Sequence, residues 1–309
     1  MKKIILANPR GFCAGVDRAI TIVEKALEKY GSPVYVRHEV VHNKYVVDGL
    51  KQRGAIFIEE IKDVPESSIL IYSAHGVPLA VREEALAKNL TMVFDATCPL
   101  VSKVHVEIKN LHRQDYTIIM IGHKGHPEVE GTMGQVTDHI HLIENEADID
   151  SLTIPRDIEK IAVVTQTTLS VDETKSIIAK LMQVFSNLRL PKNEDICYAT
   201  QNRQDAVKEM AEHCDVVLVI GSKNSSNSNR LKELAENLGV KAYLIDFDYE
   251  IQSEWLSSAT NVGVTAGASA PEVLVEGVIK RLQGQGFLTT EILNVVEEHM
   301  TFALPSELR

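Results

Sequence analysis

The sequence predicts an α/β fold made of three quasi-equivalent units with mainly parallel sheets. Two observations predict this fold class. Short apolar runs alternate along the chain with a small or polar loop and a helical stretch, a succession typical of parallel α/β proteins. In addition, loops of the same chemical type recur at matched intervals along the 309 residues, which indicates an internal repeat.

The first predicted strand is KIILAN, which leads through a cysteine-containing loop into the helical stretch GVDRAITIVEKALEKYG. The same succession is predicted where YTIIMIGHKGHPE precedes VEGTMGQ, and where VVLVIGSKNSSN precedes SNRLKELAENLG. Strands without a polar loop residue are predicted at AIFIEE, HLIENE and AYLIDF. Apolar runs of this short length favour buried strands over helices.

Three sets of loop residues recur at nearly constant intervals. Members of the first set are 85 and 99 residues apart, those of the second 84 and 99, and those of the third 92 and 102. The sets are Cys13, Cys98 and Cys197; His42, His126 and Ser225; and His75, Thr167 and Ser269. Because ligands bind beyond the carboxyl ends of parallel strands, the nine loops are expected to face one central cavity. Coincidental spacing of ordinary strand-loop-helix segments is the alternative.

The intervals also predict how the chain divides into units, each supplying one cysteine and two further polar loops. The predicted units are residues 1–96 joined by the C-terminal segment 283–309, residues 97–193, and residues 194–282.

Composition and charge exclude several classes of protein. With 44% hydrophobic and 24% charged residues, the chain is an ordinary globular protein rather than a disordered or fibrous one. The formal net charge of −11 argues against nucleic-acid binding, which needs a basic footprint. The N-terminal apolar run is too short for a signal peptide, and no stretch has the length of a membrane-spanning helix. A cytoplasmic protein without a membrane partner is expected.

The four cysteines are too few and too scattered for a secreted disulfide framework. Cys13, Cys98 and Cys197 each lie where a strand should end and a helix begin, and a helix N-terminus favours the thiolate that binds metals. Cys214 precedes a buried strand, where it should pack as a small hydrophobe. The long intervals do not fit structural zinc. A 4Fe-4S cluster with only three of its usual four cysteines would leave one iron open to a substrate oxygen; packing cysteines are the alternative.

The other loops carry polar side chains suited to an acidic small molecule. A single histidine in such a loop is more often structural than a ligand, but histidines at matched positions favour a binding site. Hydroxyl and amide groups that open predicted helices can bind an anion without lysine or arginine. The candidates are His42, His75, His126, Ser225, Ser226, Asn227 and Ser269.

Two of these loops have structural alternatives. Ser269 could instead form a capping box with Glu272. Glu128 is the only carboxylate expected in the pocket, although a first-turn helix carboxylate is also favoured by the helix dipole. A neighbouring anion would raise the pKa of Glu128 and suit it to donate a proton. Thr167 or Thr168 could relay that proton, with local hydrogen bonding as the alternative.

Nine segments, taken in order, resemble the signature segments of the bacterial 4-hydroxy-3-methylbut-2-enyl diphosphate reductases. The segments are NPRGFCAGVDRAI, HEVVHNKYVV, SAHGVP, FDATCPLVSKVH, GHKGHPEVEGTMGQ, TQTTLSVDE, ICYATQNRQ, GSKNSSNSNRL and GVTAGASAPE. They extend from near Asn8 to about Pro271, and the closing FALPSELR also resembles the family's C-terminus. The stretches near 144–160 and 283–298 are less similar.

The resemblance implies a pseudo-threefold trefoil of three α/β domains around one 4Fe-4S cluster with one substrate-accessible iron. The family's cluster ligands correspond to Cys13, Cys98 and Cys197. Its diphosphate contacts correspond to His42, His75, His126, Ser225, Ser226, Asn227 and Ser269. Its proton-delivering glutamate falls on Glu128, and its assisting threonine, which also contacts substrate, falls on Thr167.

By the same resemblance, the expected activity is reduction of 4-hydroxy-3-methylbut-2-enyl diphosphate to isopentenyl and dimethylallyl diphosphate, the last step of the methylerythritol phosphate route to isoprenoids. Reduced flavodoxin or ferredoxin is the expected electron donor, and the protein is expected to be a monomer or a weak homodimer. Two other functions stay open, an iron-sulfur hydro-lyase and an iron-sulfur electron carrier or sensor. A carrier needs no anion pocket, and a hydro-lyase turns over without a reductant.

Overall fold

A computed structural model describes residues 2–191 and 194–309. The strands are β1 (Lys3–Asn8), β2 (Val34–Arg37), β3 (Ala55–Ile58), β4 (Ile69–Tyr72), β5 (Met92–Asp95), β6 (Thr117–Ile121), β7 (Ile140–Ile143), β8 (Ile161–Thr165), β9 (Leu188–Arg189), β10 (Val216–Ile220), β11 (Lys241–Ile245), β12 (Asn261–Ala266) and β13 (Thr289–Asn294). The α-helices are α1 (Ala14–Tyr30), α2 (Lys44–Gln52), α3 (Leu79–Ala87), α4 (Pro99–Arg113), α5 (Pro127–Met133), α6 (Val171–Val184), α7 (Tyr198–Ala211), α8 (Ser226–Asn237) and α9 (Glu272–Gln283). Short 3-10 helices lie at Ile61–Asp63, Glu146–Ser151, Asp248–Glu250, Ser253–Leu256 and Ser306–Leu308.

Within these described residues the strands form three parallel sheets, which confirms the predicted fold class. The strand orders are β3-β2-β4-β5, β7-β6-β8-β9 and β11-β10-β12-β1-β13. Each repeat has four strands. In each sheet, the first strand of the repeat (β2, β6 or β10) lies between the second strand (β3, β7 or β11) and the third (β4, β8 or β12). The fourth strand of the repeat (β5, β9 or β1) pairs with the other side of the third. The three sheets therefore repeat one order, as the matched loop intervals predict.

The position of β1 differs from its place in the sequence. It pairs with β12 through Lys3 and Asn261 and with β13 through Lys3 and Thr289, so it occupies the fourth position of the last sheet. Both β1 and β13 fall in the unit predicted from residues 1–96 and 283–309, yet neither pairs with β2–β5. Strand β1 therefore pairs next to β12, as β5 pairs next to β4 and β9 next to β8, and not with the strands that follow it in the sequence. The three predicted sequence ranges remain a proposal for domain boundaries.

The chain divides into two compact units. Unit I comprises Met1–Asp17, Val41–Gly49 and Tyr198–Thr301, and unit II comprises Arg18–Val40, Leu50–Cys197 and Phe302–Arg309. The five-stranded sheet belongs to unit I, and the two four-stranded sheets belong to unit II.

Both faces of the unit I sheet are buried along β1, β10 and β12, as is usual for parallel sheets, whereas the edge strand β13 is largely exposed. Ile4 and Leu6 of β1 contribute to the hydrophobic cluster that includes α9 residues, whereas Ile5 and Ala7 contribute to the cluster on α7 and α8. This alternation follows from the two-residue period of a strand. A sheet covered on both faces leaves its carboxyl edge, where the strands meet loops, as the place for polar chemistry.

The loop between α9 and β13 carries an apolar anchor whose removal should lower stability. Phe287 is 0% exposed within the α9 cluster, whereas its neighbour Leu288 is 76% exposed. Phe287→Ala is therefore expected to lower the free energy of unfolding by about 3–5 kcal/mol. Urea unfolding of the metal-free protein tests this, with Leu288→Ala as the control that should change stability by less than about 0.5 kcal/mol. Equal effects of the two substitutions would contradict the assignment of Phe287 to the core.

Among the described residues, no helix combines the length and the apolar character needed to cross a bilayer.

Candidate functional site

The candidate residues follow equivalent strands at equivalent distances along the chain. The residues of the second loop set each lie five positions after the end of β2, β6 or β10, and those of the third set lie two or three positions after β4, β8 or β12. Each candidate cysteine directly precedes a helix, namely α1, α4 or α7, as predicted. Strands that end at one edge of a parallel sheet place these loops at that edge.

The candidates are divided between the two compact units. Unit I carries Cys13, His42, Ser225, Ser226, Asn227 and Ser269, and unit II carries Cys98, Cys197, His75, His126, Glu128 and Thr167.

In unit II, Glu128 and Thr167 form a buried pair. The Thr167 amide donates to Glu128 Oε1 at 2.6 Å, and the Thr167 hydroxyl donates to Oε2 at 3.1 Å. Glu128 is only 3% exposed, because it lies in the first turn of α5, against the loop after β8. Its carboxyl group therefore has little contact with water and two donors from one residue.

Burial raises the pKa of Glu128 to about 7, since a charged carboxylate is poorly solvated there; the hydrogen bonds from Thr167 act in the opposite direction. The raised pKa agrees with the sequence prediction, but its main cause is burial rather than a neighbouring anion. A carboxyl group with this pKa is protonated for about half of the time at neutral pH, which suits a proton donor.

His126 caps the short helix that carries Glu128. The Glu128 amide donates to His126 Nδ1 at 3.1 Å. Because Nδ1 is an acceptor, a neutral His126 carries its proton on Nε2 and presents a donor there. This is the tautomer that can hydrogen-bond a phosphate oxygen.

His75 lies beside His126, with ring centroids 5.7 Å apart and rings at 86°. Two glycines allow the His75 loop to pack directly on α5. A Cβ atom on Gly131 would lie 3.0 Å from the carbonyl carbon of Gly76, and Gly76 itself has a φ of +82°. His75, His126, Glu128 and Thr167 are thus brought together within unit II.

One backbone hydrogen bond recurs at all three candidate cysteines. Each donates its amide to the loop of the third set in its own unit: Cys98 to Ala74 O at 2.9 Å, Cys197 to Thr167 O at 3.0 Å, and Cys13 to Ala268 O at 3.2 Å. All three are partly exposed and none forms a disulfide. In each repeat, the residue after the fourth strand that carries the thiol is therefore hydrogen-bonded in the same way to the loop after the third strand.

In unit I, the polar residues after β10 open α8. Ser225 is the N-cap of this helix and accepts the Ser228 amide at 3.3 Å. Asn227 Oδ1 accepts the Ala268 amide at 2.8 Å, so the loop of Cys13 and this cluster share the backbone of Ala268. Ser226 follows Ser225 at the start of the helix and is partly exposed.

Ser269 and His42 meet in the same unit, because the Ser269 hydroxyl donates to the His42 carbonyl at 2.9 Å. The alternative capping box of Ser269 is wrong. Helix α9 begins at Glu272 and its N-cap is Pro271, which has no side chain that accepts a hydrogen bond. The Glu272 carboxylate instead accepts from Arg10 Nη2 at 2.5 Å.

Comparison with known proteins identifies the family. The sequence model of the LytB protein family matches residues 4–283, most of the chain. The chain belongs to the LytB protein family. It is 60% identical over 308 residues to the 4-hydroxy-3-methylbut-2-enyl diphosphate reductase of Chromobacterium violaceum, with 100% of this chain and 98% of the relative covered. It is 59% identical over 307 residues to that of Azoarcus sp., with 99% and 98% covered.

The LytB fold is also found in a solved structure. The E-1-hydroxy-2-methyl-but-2-enyl-4-diphosphate reductase from Plasmodium falciparum superposes with a TM-score of 0.96 at 39% identity, covering 99% of this chain and 96% of that one. A second, the (E)-4-hydroxy-3-methyl-but-2-enyl diphosphate reductase of the non-mevalonate pathway, has a TM-score of 0.65 at 34% identity, covering 92% and 100%.

Two buried polar residues of this LytB chain, Arg203 and Ser228, were not among the candidates predicted from the sequence, although both are 0% exposed. Arg203 shares a helix face with Ala199 and Val207, both of which are buried, and an arginine on an apolar face was the available signal. Ser228 fills the space that Gly221 and Gly267 leave open, since a Cβ atom on either would lie 2.1 or 2.0 Å from its hydroxyl.

The fourth thiol of the LytB chain behaves as predicted. Cys214 packs against the hydrophobic cluster under α7 and α8, and burial raises its pKa to about 12. It is therefore a neutral packing group. Considered separately, neither unit contains, among its described residues, a group of three or more histidines, cysteines or acidic residues that could hold a metal ion.

Proposed function

We propose that this protein reduces 4-hydroxy-3-methylbut-2-enyl diphosphate to isopentenyl and dimethylallyl diphosphate. The reaction takes up two electrons and two protons, breaks the allylic C–O bond and releases water. The family and the names of its relatives support this reaction class. Within the chain, the observation that carries it is the buried Glu128 carboxyl, which has a pKa of about 7 and contacts Thr167 through both oxygens.

The polar loops are proposed to bind the substrate's diphosphate. Imidazole, hydroxyl and amide donors suit phosphate oxygens, and none of them adds a fixed positive charge. The tautomer of His126 set by the Glu128 amide presents Nε2–H as such a donor. The proposed contacts are His42, His75, His126, Thr167, Ser225, Ser226, Asn227 and Ser269.

Glu128 is proposed to deliver protons through Thr167 and a diphosphate oxygen of the bound substrate. The Thr167 hydroxyl lies 3.1 Å from Glu128 Oε2, within the distance of direct proton transfer. The Thr167 amide at 2.6 Å holds the other oxygen, so the carboxyl group keeps one orientation. A fixed carboxyl group with a near-neutral pKa can both release and regain a proton in each turnover.

Cys13, Cys98 and Cys197 are proposed to bind one 4Fe-4S cluster with one iron accessible to substrate. Their chemistry fits this group, because each is a partly exposed thiol that lies outside any disulfide and directly before a helix. When bound, such a cluster supplies single electrons and an iron that acts as a Lewis acid. We further propose reduced flavodoxin or ferredoxin as the electron donor, a cytoplasmic location, and a monomer or weak homodimer.

Anaerobic turnover tests the proposed reaction. Purified protein with dithionite and a viologen mediator should oxidise the reduced viologen when the hydroxylated allylic diphosphate is added, and both products should appear. The matched control omits the reductant and should give no product. Turnover without reductant would indicate a hydro-lyase, and an iron-containing protein that never consumes substrate would indicate a carrier or sensor; either outcome contradicts the proposal.

The glycine beside Ser228 gives a test of the anion-binding loops. Gly267→Ala places a methyl group 2.0 Å from the Ser228 hydroxyl and 3.1 Å from the Ser228 Cβ atom, so the hydroxyl must turn away and the start of α8 must shift from the backbone after β12. A displacement near 1 Å at positioning groups lowers kcat/KM roughly 100-fold. Steady-state kinetics measure this loss. Gly49→Ala is the control, because its Cβ atom meets nothing within 4 Å, and a similar loss there would show that the effect is not local.

A further inference from the structure

Arg203 on α7 is a charged side chain that the site described above leaves without a role. It is 0% exposed, and its guanidinium donates to the loop before Cys13, to its own helix and to the segment that follows β13, all within unit I. Nε and Nη2 donate to the Gly11 carbonyl at 3.1 and 2.8 Å, and Nη1 donates to the Ala199 carbonyl at 2.8 Å. A longer contact joins Nη2 to the Phe12 carbonyl at 3.4 Å.

A carboxylate from the C-terminal part of the chain neutralises this guanidinium. Glu298 Oε1 accepts from Nη1 at 3.0 Å and Oε2 accepts from Nη2 at 3.2 Å, a two-pronged pair. The Glu298 side chain is 15% exposed. A buried guanidinium persists only when it is paired and its donors are satisfied, so Arg203 and Glu298 depend on one another.

We propose that Arg203, held by Glu298, is a positioning residue that fixes the backbone before Cys13. The carbonyls of Gly11 and Phe12 immediately precede this cysteine. The amide side of the same loop is also held, because Gly11 N donates to Ala266 O at 3.0 Å and Cys13 N to Ala268 O at 3.2 Å. The carbonyl groups of the loop are therefore held by Arg203, and its amide groups are held by the backbone after β12. We call these two sets of hydrogen bonds the clamp.

The turn itself needs this support. Gly11 has a φ of +66°, in the left-handed region, and a Cβ atom there would lie 3.0 Å from the Ala270 carbonyl. A glycine loses more conformational freedom on ordering than other residues, so the loop does not hold its shape by local preference. The hydrogen bonds from Arg203 to the carbonyls of Gly11 and Phe12 therefore hold the loop in the conformation that the glycine alone would not keep.

The C-terminal segment becomes part of this arrangement. Residues 295–301 follow β13 without helix or strand, and the Val295 amide donates to the Asn8 carbonyl at 2.9 Å. Asn202 Nδ2 donates to Glu298 Oε1 at 2.9 Å, which anchors the carboxylate further. A contact made close to the C-terminus thus controls the backbone of a loop close to the N-terminus.

The consequence for catalysis rests on the proposed function of Cys13 as a cluster ligand. The positioning itself does not, because it is a property of the metal-free chain. Local opening frees the amide hydrogens of Gly11 and Cys13 for exchange with solvent. Hydrogen exchange at these two amides therefore reports on the clamp directly.

The test is hydrogen-deuterium exchange with mass spectrometry on the metal-free protein, following peptides that contain Gly11 and Cys13. Glu298→Gln is expected to speed exchange of these amides roughly 10-fold, since a hydrogen bond to a charged group is lost. Arg203→Gln is expected to speed their exchange more than Glu298→Gln does. Arg203→Lys keeps the positive charge but lacks the planar set of donors of the guanidinium, so its exchange rate should lie between those of wild type and Arg203→Gln. The amide of Cys98, bonded to Ala74 O in unit II, is the internal reference and should not change.

Glu291→Gln is the matched control. It removes an ion pair of 2.9 Å to Lys3 that also joins the two ends of the chain, but its carboxylate is 61% exposed, so exchange at Gly11 and Cys13 should stay at the wild-type rate. Unchanged exchange in folded Glu298→Gln protein would overturn the proposal, even if Arg203→Gln fails to fold. After cluster reconstitution, Glu298→Gln should also lose iron faster than Glu291→Gln. If Glu298→Gln exchanges faster but the wild-type protein binds no iron, the positioning role of Arg203 is supported and the proposed cluster function is rejected.

Discussion

Glu128→Gln is expected to reduce kcat by about 10²- to 10⁴-fold, the range that a positioned proton donor contributes. Glutamine preserves the shape of the side chain and can still accept from the Thr167 amide, so substrate should bind with little change. Anaerobic steady-state kinetics with reduced viologen measure both parameters. Glu130→Gln is the control, because Glu130 lies on the same helix but is exposed. A near-normal kcat for Glu128→Gln would remove this carboxyl group from the proton path.

The same carboxyl group predicts two pH dependences. The pKa of Glu128 is about 7, above its ordinary value of 4.5, so the folded protein holds this proton more tightly than the unfolded chain. Its contribution to stability is therefore full below pH 4.5 and is lost as pH rises through 7. Glu128→Gln should unfold at the same or a higher urea concentration than wild type at pH 8. The rate of the wild-type enzyme should fall above pH 7, where the donor is ionised.

Substitution of any one candidate cysteine ligand is expected to remove both iron and activity. Cys13→Ser, Cys98→Ser and Cys197→Ser each replace a thiolate by a hydroxyl that stays protonated and binds iron poorly. Cys214→Ser is the matched control, because burial keeps this thiol neutral, with a pKa of about 12, within a hydrophobic cluster.

Iron content and the visible spectrum of anaerobically purified protein give the readout, together with viologen oxidation. Cys214→Ser should keep wild-type iron. Wild-type iron in any of the other three variants would refute that residue as a ligand. Iron lost equally from all four would point to a general folding defect rather than to ligation.

The sequence could predict those parts of the fold that depend on local pattern. Apolar runs followed by polar loops identified the strands and the loops that carry the candidate residues, since strands buried on both faces are short continuous apolar runs in the sequence. The position of β1 could not be predicted in this way. Its partners Asn261 and Thr289 are more than 250 residues away, and nothing in KIILAN distinguishes one neighbouring sheet from another.

The site shows the same division between local and distant causes. Chemical type and position along the chain pointed to Glu128 and to Thr167 or Thr168 as candidates, but the near-neutral pKa of Glu128 comes from burial, which depends on contacts made across unit II. Arg203 was missed because its partner Glu298 lies 95 residues away. Ser269 met the sequence rule for a helix cap, yet Pro271 set the start of α9 elsewhere.

The placement of β1 also constrains the order in which the protein can be completed during synthesis. Strand β1 can pair with β12 and β13 only after these strands have been synthesised, more than 250 residues later in the chain. Until then the loop of Cys13 lacks the carbonyl of Ala268 and the support of Glu298. In the nascent chain the Cys13 loop therefore stays unsupported until the segments that contain Ala268 and Glu298 have been synthesised, and any role of Cys13 as a ligand depends on their synthesis.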